Sequence, residues 1–223
     1  MKLLLTSGGI MNKSIEKAFL EMTGKKPSDT RVAFVPTAAN VEDGDKRWLA
    51  EDLESLVKMG IGTVDIVDIS ALPKDIWKKR LVKADVLEFG GGNTFHLLYW
   101  IKKSGLGKIL KDLLKNRLYV GISAGSIVTN PDLLLSTSEP FDPQFYSKEI
   151  GKISDRKGLG FVDFYVRPHM NSKYFPDITH EKVRSLAEKI KAPVYLIDDE
   201  TAIAVKNGKI SIISEGKYHI YNK

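Results

Sequence analysis

Short apolar runs rich in Val, Ile and Leu alternate along the chain with longer amphipathic stretches. This alternation is typical of β-α units that build a parallel sheet covered by helices on both faces. The pattern predicts strands at residues 2–6, 31–36, 63–68, 86–89 and 118–122. Helical periodicity predicts helices between them, at residues 14–22, 45–59, 75–82, 94–103 and 106–115. The first half of the chain therefore predicts an α/β fold.

The regular alternation weakens after residue 122. Residues 129–160 are rich in Pro and Gly, which favours a long ordered loop, and loops of that length usually serve a function. A strand at 161–166, a helix at 179–191 and a strand at 194–197 follow, and the tail reads as antiparallel hairpin strands at 201–205, 209–213 and 217–221. Asn207-Gly208 indicates a type I′ turn within that tail. A chain of 223 residues with this pattern predicts one α/β domain over residues 1–223.

Composition removes several classes of function. The chain has no cysteine, so disulfides, thiolate metal sites and a cysteine nucleophile are excluded. The net charge of +6 comes from scattered lysines that favour solvated helix faces over a nucleic-acid surface, because no basic stretch is interleaved with aromatic residues. No apolar stretch approaches the roughly 18 residues of a membrane span. We therefore expect a cytoplasmic protein with no membrane or nucleic-acid partner. Apolar helix faces are compatible with a homodimer, although no interface is identified.

The segment Gly-Ile-Ser-Ala-Gly at residues 121–125 follows an apolar strand and precedes a stretch that can begin a helix. This setting predicts a nucleophile elbow, in which small neighbours allow a sharp turn that exposes the hydroxyl of Ser123 at the carboxyl end of the strand. The alternative is a glycine-rich turn in which Ser123 only caps the helix.

Three consecutive glycines at 90–92 likewise follow a strand and open a helix. Their backbone N–H groups could face a tetrahedral oxyanion or a phosphate, which makes Gly91, Gly92 and Asn93 candidates for ligand contact. Asn93 can equally be the N-cap of the following helix. The loop is not Gly-x-Gly-x-x-Gly and no Gly-Lys-Ser/Thr follows it, so dinucleotide and P-loop binding are disfavoured.

A serine nucleophile needs a nearby base, because its hydroxyl is inert at neutral pH. The chain has four histidines, and His169 is the best candidate because it follows a predicted strand and Pro168 at the edge where the other strands end. His169 could also be a loop residue that only forms structural hydrogen bonds. The acid that would orient it is open: Glu139 lies in the long loop, and three acids at 198–200 follow the strand at 194–197.

Four motifs in this order, Phe-Gly-Gly-Gly-Asn (89–93), Gly-Ile-Ser-Ala-Gly (121–125), Arg-Pro-His (167–169) and Ile-Asp-Asp-Glu-Thr-Ala (197–202), resemble the peptidase E family of serine peptidases, whose relatives include α-aspartyl dipeptidases and cyanophycinases. The resemblance implies a parallel-sheet sandwich similar to class I glutamine amidotransferases (flavodoxin-like), here with a C-terminal antiparallel hairpin. It also implies a reaction without a metal or organic cofactor.

The resemblance further implies roles for individual residues. Ser123 would attack the substrate, His169 would carry the proton, and the backbone N–H groups of Gly92 and Ala124 would form an oxyanion hole. Glu139 would supply the acid, with Glu200 as a second choice.

One departure from the family concerns the substrate. Aspartyl dipeptidases carry an arginine roughly a dozen residues after the histidine, whereas His180 stands here and Arg184 follows one helical turn later. A histidine is a poor substitute for a bidentate guanidinium. We therefore expect a serine peptidase that hydrolyses short peptides in the manner of a dipeptidase. N-terminal Asp-Xaa peptides are candidate substrates, but strict specificity for them is not expected. An esterase of the α/β-hydrolase type and a non-catalytic ligand-binding module are the alternatives.

Overall fold

The computed structural model describes residues 1–136 and 156–223. A seven-stranded sheet forms its centre. Its strands are β1 (Lys2–Thr6), β2 (Arg31–Val35), β3 (Thr63–Ile66), β4 (Val86–Phe89), β5 (Leu118–Ile122), β8 (Thr201–Lys206) and β9 (Lys209–Ser214). They lie in the order β3-β2-β4-β5-β1-β8-β9. The first five in this order pair in parallel, and β8 and β9 add an antiparallel hairpin at one edge. The predicted α/β class is confirmed, and the arrangement is consistent with a flavodoxin-like fold.

Helices cover both faces of this sheet, which explains why the central strands are apolar throughout rather than alternating. On one face, Phe19 of α1 and Leu56 of α2 pack against β1, β2, β4 and β5. On the other face, Trp77 of α3 and Leu97 of α4 lie in the larger core. The helices are α1 (Lys13–Thr23), α2 (Arg47–Lys58), α3 (Lys74–Lys83), α4 (Thr94–Lys103), α5 (Leu110–Leu113), α6 (Ala124–Ile127) and α7 (His180–Ala187).

A second, three-stranded sheet has the order β10-β7-β6, formed by β6 (Tyr165–Arg167), β7 (Val194–Ile197) and β10 (Tyr218–Tyr221). The strands β6 and β7 run parallel, so their carboxyl ends meet at one edge. Helix α7 packs on this sheet through Val183 and Ala187. This pairing places the segment that follows β6 beside the segment that follows β7.

The tail differs from the sequence prediction in one respect. The β8–β9 hairpin is confirmed, and its turn residues Asn207 and Gly208 have the positive φ angles, 52° and 78°, that a type I′ turn requires. The last strand, β10, does not extend that hairpin, because it pairs antiparallel with β7 in the second sheet. A local turn signal identifies the hairpin partner, whereas the partner of β10 lies about twenty residues earlier in the chain.

Other differences concern lengths. The helix predicted at 106–115 is a 3-10 turn at Leu106–Lys108 followed by the short α5, and Gly107, a poor helix former, lies within the 3-10 turn. The strand predicted at 161–166 shortens to β6, and the helix predicted at 179–191 shortens to α7. Most of the loop predicted at 129–160 lies outside the described residues. No helix in the described part of the chain is long and apolar enough to cross a membrane.

Candidate active site

Ser123 stands at a strained turn directly after β5. Its backbone has φ 48° and ψ −105°, a conformation that a residue with a side chain rarely adopts. Close backbone packing fixes this turn: a Cβ at Gly125 would lie 2.0 Å from the carbonyl oxygen of Phe89, and one at Gly121 would lie 2.6 Å from the carbonyl of Gly125. The strand, turn and helix predicted around Ser123 are therefore present, and the flanking glycines are required sterically.

Hydrogen bonds hold the turn against the neighbouring strand β1. The Ser123 N–H donates to the carbonyl oxygen of Thr6 at 3.1 Å. The buried hydroxyl of Ser126 lies 2.7 Å from that same oxygen and 2.8 Å from the carbonyl oxygen of Gly121. The backbone of Ser123 is thus fixed while its side chain remains partly exposed.

His169 lies within hydrogen-bond distance of Ser123. Its Nε2 is 2.7 Å from the Ser123 Oγ, although 46 residues separate the two in sequence. The side chain of Asn130 helps to position β6, the strand before His169. Its oxygen accepts from the Val166 N–H at 3.0 Å, and its amide nitrogen donates to the Val166 carbonyl at 3.2 Å. The φ of 68° at His169 turns the chain sharply after Pro168 and directs the ring toward the serine.

The other ring nitrogen of His169 is bonded to Asp199, two residues beyond β7. Nδ1 lies 2.6 Å from the Asp199 Oδ1. The parallel register of the small sheet, which pairs Arg167 with Leu196, brings these two residues to the same edge. Serine hydroxyl, imidazole and carboxylate therefore form one continuous hydrogen-bonded line.

Ser7, just after β1, joins the second half of this line. Its hydroxyl donates to the Asp199 Oδ1 at 2.7 Å, accepts from the His169 backbone N–H at 2.9 Å, and lies 3.3 Å from the His169 Nδ1. Ser7 is fully buried. One hydroxyl from the main sheet thus ties the histidine and the acid of the second sheet together.

Asp199 is held as a carboxylate. Burial acts to raise the pKa of Asp199, but the hydrogen bond and charge of His169, with hydrogen bonds from Ser7 and Ser172, outweigh it and lower the pKa to about 2. The acid is therefore ionised across the physiological range. A carboxylate at this place fixes the imidazole so that Nδ1 carries the proton and Nε2 can accept one from Ser123.

The sequence predicts Glu139 as the acid, with Glu200 as the second choice. Glu139 lies outside the described residues. Glu200 is exposed. Its backbone carbonyl accepts a hydrogen bond from the Asn12 side chain at 2.8 Å. The carboxylate on His169 comes from Asp199 rather than from Glu200, because it is the Asp199 side chain that reaches His169 Nδ1 after β7.

The glycine loop after β4 borders Ser123. A Cβ at Gly91 would lie 3.6 Å from the Ser123 Cβ and 3.5 Å from the ring of Trp48. Gly92 has φ 117°, and a side chain there would collide with the Ala38 carbonyl oxygen at 2.4 Å. Within residues 1–136 and 156–223, the Gly92 and Ala124 N–H groups have no acceptor. Both groups border the serine and could receive an oxyanion.

Asn93 takes the capping position that the sequence allowed. Its Oδ1 accepts from the His96 N–H at 3.0 Å, and its own N–H donates to the Ala38 carbonyl at 2.9 Å. The Asn93 side chain is the N-cap of α4 and so fixes the end of the glycine loop. Its role in holding the loop is clear from these bonds, whereas contact with a ligand stays a prediction.

The predicted substrate residues His180 and Arg184 lie on α7. The ring of His180 is 4.1 Å from that of His219 and 5.8 Å from that of Tyr221, both on β10. The Arg184 Nε lies 3.6 Å from the Glu188 carboxylate on the helix surface. Neither side chain contacts Ser123 or His169 in the part of the chain that is described. Their role in substrate binding remains a prediction.

Ser7, Ser172 and Asp199 are the site residues that sequence reasoning missed or left unresolved. The segment Thr-Ser-Gly-Gly at 6–9 follows the first strand at the same sheet edge as Ser123, which is the available signal for Ser7. Recognising that strands 165–167 and 194–197 pair in parallel would favour an acid directly after the second of them. Nothing in the sequence indicates Ser172. No cluster of three or more potential metal ligands is found among the described residues.

Comparison with known proteins agrees with this structure. An uncharacterized peptidase of Listeria innocua is 30% identical over 209 residues, covering 92% of this chain and 94% of the relative. Peptidase E of Streptomyces coelicolor is 26% identical, covering 100% of this chain and 88% of the relative. The crystal structure of a candidate peptidase E of Listeria monocytogenes superposes with a TM-score of 0.79 at 27% identity, covering 96% of this chain and 98% of that one.

These similarities define the protein as a peptidase. The profile of peptidase family S51 matches residues 3–213, nearly the whole chain. The chain therefore belongs to peptidase family S51, as the four motifs predicted.

Proposed function

We propose that this protein is a serine peptidase that cleaves short peptides through an acyl-enzyme on Ser123. The observation that carries the proposal is the line of two hydrogen bonds, 2.7 Å from the Ser123 Oγ to the His169 Nε2 and 2.6 Å from the His169 Nδ1 to Asp199. A serine is activated by such an adjacent base, and the base is oriented by a third group.

In this proposal the Ser123 Oγ attacks the carbonyl carbon of the scissile bond as its proton passes to the His169 Nε2. The tetrahedral intermediate collapses when His169 returns that proton to the leaving amine, which departs and leaves an ester on Ser123. A water molecule then attacks the ester and gives its proton to His169. Release of the carboxylic acid restores the Ser123 hydroxyl. Asp199 stabilises the imidazolium in both halves without taking the proton.

The N–H groups of Gly92 and Ala124 are proposed to stabilise the oxyanion. Ser123 lies between the glycine loop and the start of α6, and both N–H groups lack an acceptor within the described residues. Preorganised donors of this kind typically contribute factors of about 100 to 1,000 in kcat. The Ser123 N–H itself is bonded to Thr6, so it is not counted among these donors.

The proposed substrates are short peptides of varied N-terminal residue. His180 is engaged with His219 and Tyr221, and the guanidinium of Arg184 lies beside Glu188, so neither predicted substrate residue is bonded to Ser123 within the described residues. A strict requirement for N-terminal aspartate needs such a cation. We therefore expect Asp-Xaa peptides to be at most one group among those cleaved.

The test is hydrolysis of dipeptides and tripeptides that vary in the N-terminal residue, with wild type and Ser123→Ala compared in parallel. We expect turnover that Ser123→Ala reduces by about 10⁴-fold or more, because the covalent step is lost. Ser211→Ala, on the exposed outer part of β9, is the matched control and should keep full activity. Equal turnover by wild type and Ser123→Ala, or none by wild type on any peptide, would contradict the proposal.

A further inference from the structure

We propose that Phe175 forms the binding surface for the residue that follows the scissile bond, and that this surface selects peptides with an apolar or aromatic residue there. The inference rests on the proposed function. It extends that proposal from the reacting groups to the class of substrate.

Phe175 contacts the histidine directly. The Phe175 and His169 rings are stacked, with centroids 4.3 Å apart and an interplanar angle of 21°. His169 is thereby held at both nitrogens and on one face. Phe175 is nevertheless 39% exposed, so part of its apolar ring faces solvent next to the face of His169 that it covers. A large exposed aromatic side chain beside a reactive group is a common form of binding surface.

The chemistry assigns this surface to the leaving-group side. His169 Nε2 must donate its proton to the departing amine nitrogen, so this nitrogen comes within hydrogen-bond distance of the ring. The side chain of the residue that carries this nitrogen then extends along the neighbourhood of the imidazole. Phe175 is the aromatic residue that covers the imidazole face, so it is in position to contact that side chain.

The surface is preorganised by the loop that carries it. The Phe175 N–H donates to the Ser172 carbonyl at 3.1 Å, and the Phe175 carbonyl accepts from the Ile178 N–H at 3.0 Å. Ser172 and Ile178 are both buried, and the side chain of Ser172 is bonded to Asp199. The loop is thus anchored to the acid of the site, and little ordering is required when a substrate binds.

The neighbouring Tyr174 provides a matched control. It is 75% exposed and belongs to the same loop, but its ring carries the ammonium of Lys173 at 4.8 Å and has no ring contact with His169 in the described structure. Two adjacent exposed aromatic residues therefore differ in the one respect that matters, contact with the histidine.

The experiment measures kcat and KM for peptides that share a first residue and carry Gly, Ala, Leu or Phe as the second. For wild type we expect kcat/KM to be about tenfold higher with Leu or Phe than with Gly, as one well-packed aromatic contact allows. Phe175→Ala should abolish this preference, so that kcat/KM becomes about equal for the Gly, Leu and Phe peptides, and the loss for Leu and Phe relative to Gly should appear in KM. Phe175→Leu should retain part of the preference, and Tyr174→Ala should retain all of it.

Two results would overturn the inference. One is a wild-type enzyme indifferent to the second residue. The other is a Phe175→Ala variant whose kcat falls equally on every peptide, which would make Phe175 only a support for His169. Calorimetric binding of the same peptides to Ser123→Ala, with and without Phe175→Ala, tests the preference without turnover. A failure of the proposed peptidase chemistry is thereby distinguished from a failure of this surface.

Discussion

The hydroxyl of Ser7 lies 2.7 Å from Asp199 Oδ1, although the strand before Ser7 and the strands before His169 and Asp199 belong to different sheets. Ser7 follows β1 in the central sheet, whereas the other two follow strands of the small sheet. The hydrogen bond therefore couples the two sheets at the point where the proposed chemistry occurs. It also stabilises the charged form of the acid.

Removal of the Ser7 hydroxyl should lower the activity of the site without abolishing it. In Ser7→Ala, Asp199 loses one donor, so its pKa should rise, and the His169 backbone N–H loses its acceptor. We expect kcat to fall about tenfold with little change in KM, as for the loss of one hydrogen bond to a charged group. Steady-state kinetics on Ser7→Ala measure this loss, and a kcat equal to that of wild type would contradict this role.

Asp199 and Glu200 are adjacent acids that the structure separates by role. Asp199→Asn keeps the shape of the side chain but removes the charge that fixes the histidine tautomer, and we expect kcat to fall by about 10³ to 10⁴-fold. Glu200→Gln alters an exposed carboxylate and should leave kcat within about twofold. Steady-state kinetics on the two variants decides between them. A larger loss in Glu200→Gln than in Asp199→Asn would return the role to Glu200.

The sequence predicts one side of this site better than the other. Ser123 and the glycine loop lie in local motifs, and the residues beside each motif predict its strand-turn-helix context. The acid is different, because 198–200 are three consecutive acids and only the parallel pairing of β6 with β7 determines which one meets His169. Long-range pairing also explains why the sequence predicts the wrong neighbour for β10, which pairs with β7. The contact of Phe175 with His169 likewise depends on the folded loop and has no local sequence motif.

The buried Glu88 and the partly buried Asp52 lead to a prediction about stability. Asp52 on α2 and Glu88 on β4 lie on the same face of the sheet, and the Glu88 Oε2 has no hydrogen-bond partner among the described residues. Burial, with a smaller effect of Glu51, raises the pKa of Asp52 to about 7. Burial, with a smaller effect of Asp52, raises the pKa of Glu88 well above its usual range. Both acids are therefore more easily protonated in the folded state than in the unfolded one.

The sign of the effect follows from proton binding. As pH rises from about 4 to 7, the unfolded chain loses protons that folded Asp52 retains, so the free energy of unfolding decreases across this window. The double variant Asp52→Asn, Glu88→Gln should lack this decrease and should be more stable than wild type at pH 8, by about 1 to 3 kcal/mol.

Denaturant unfolding from pH 4 to pH 8 measures this difference. Glu54→Gln, which changes an exposed acid on the same helix α2, is the control and should follow the wild-type curve. Parallel curves for wild type and the double variant would show that the two acids are not protonated in the folded state.

The most direct test of the account is covalent labelling of the intact protein by a fluorophosphonate, followed by mass spectrometry of the labelled peptide. We expect a single adduct on Ser123 in wild type, no adduct in Ser123→Ala, and strongly slowed labelling in His169→Ala, because His169 activates the hydroxyl. Short peptides that are cleaved should slow the labelling of wild type. Absence of labelling at Ser123, or labelling that is equally fast without His169, would contradict the assignment of Ser123 as the nucleophile.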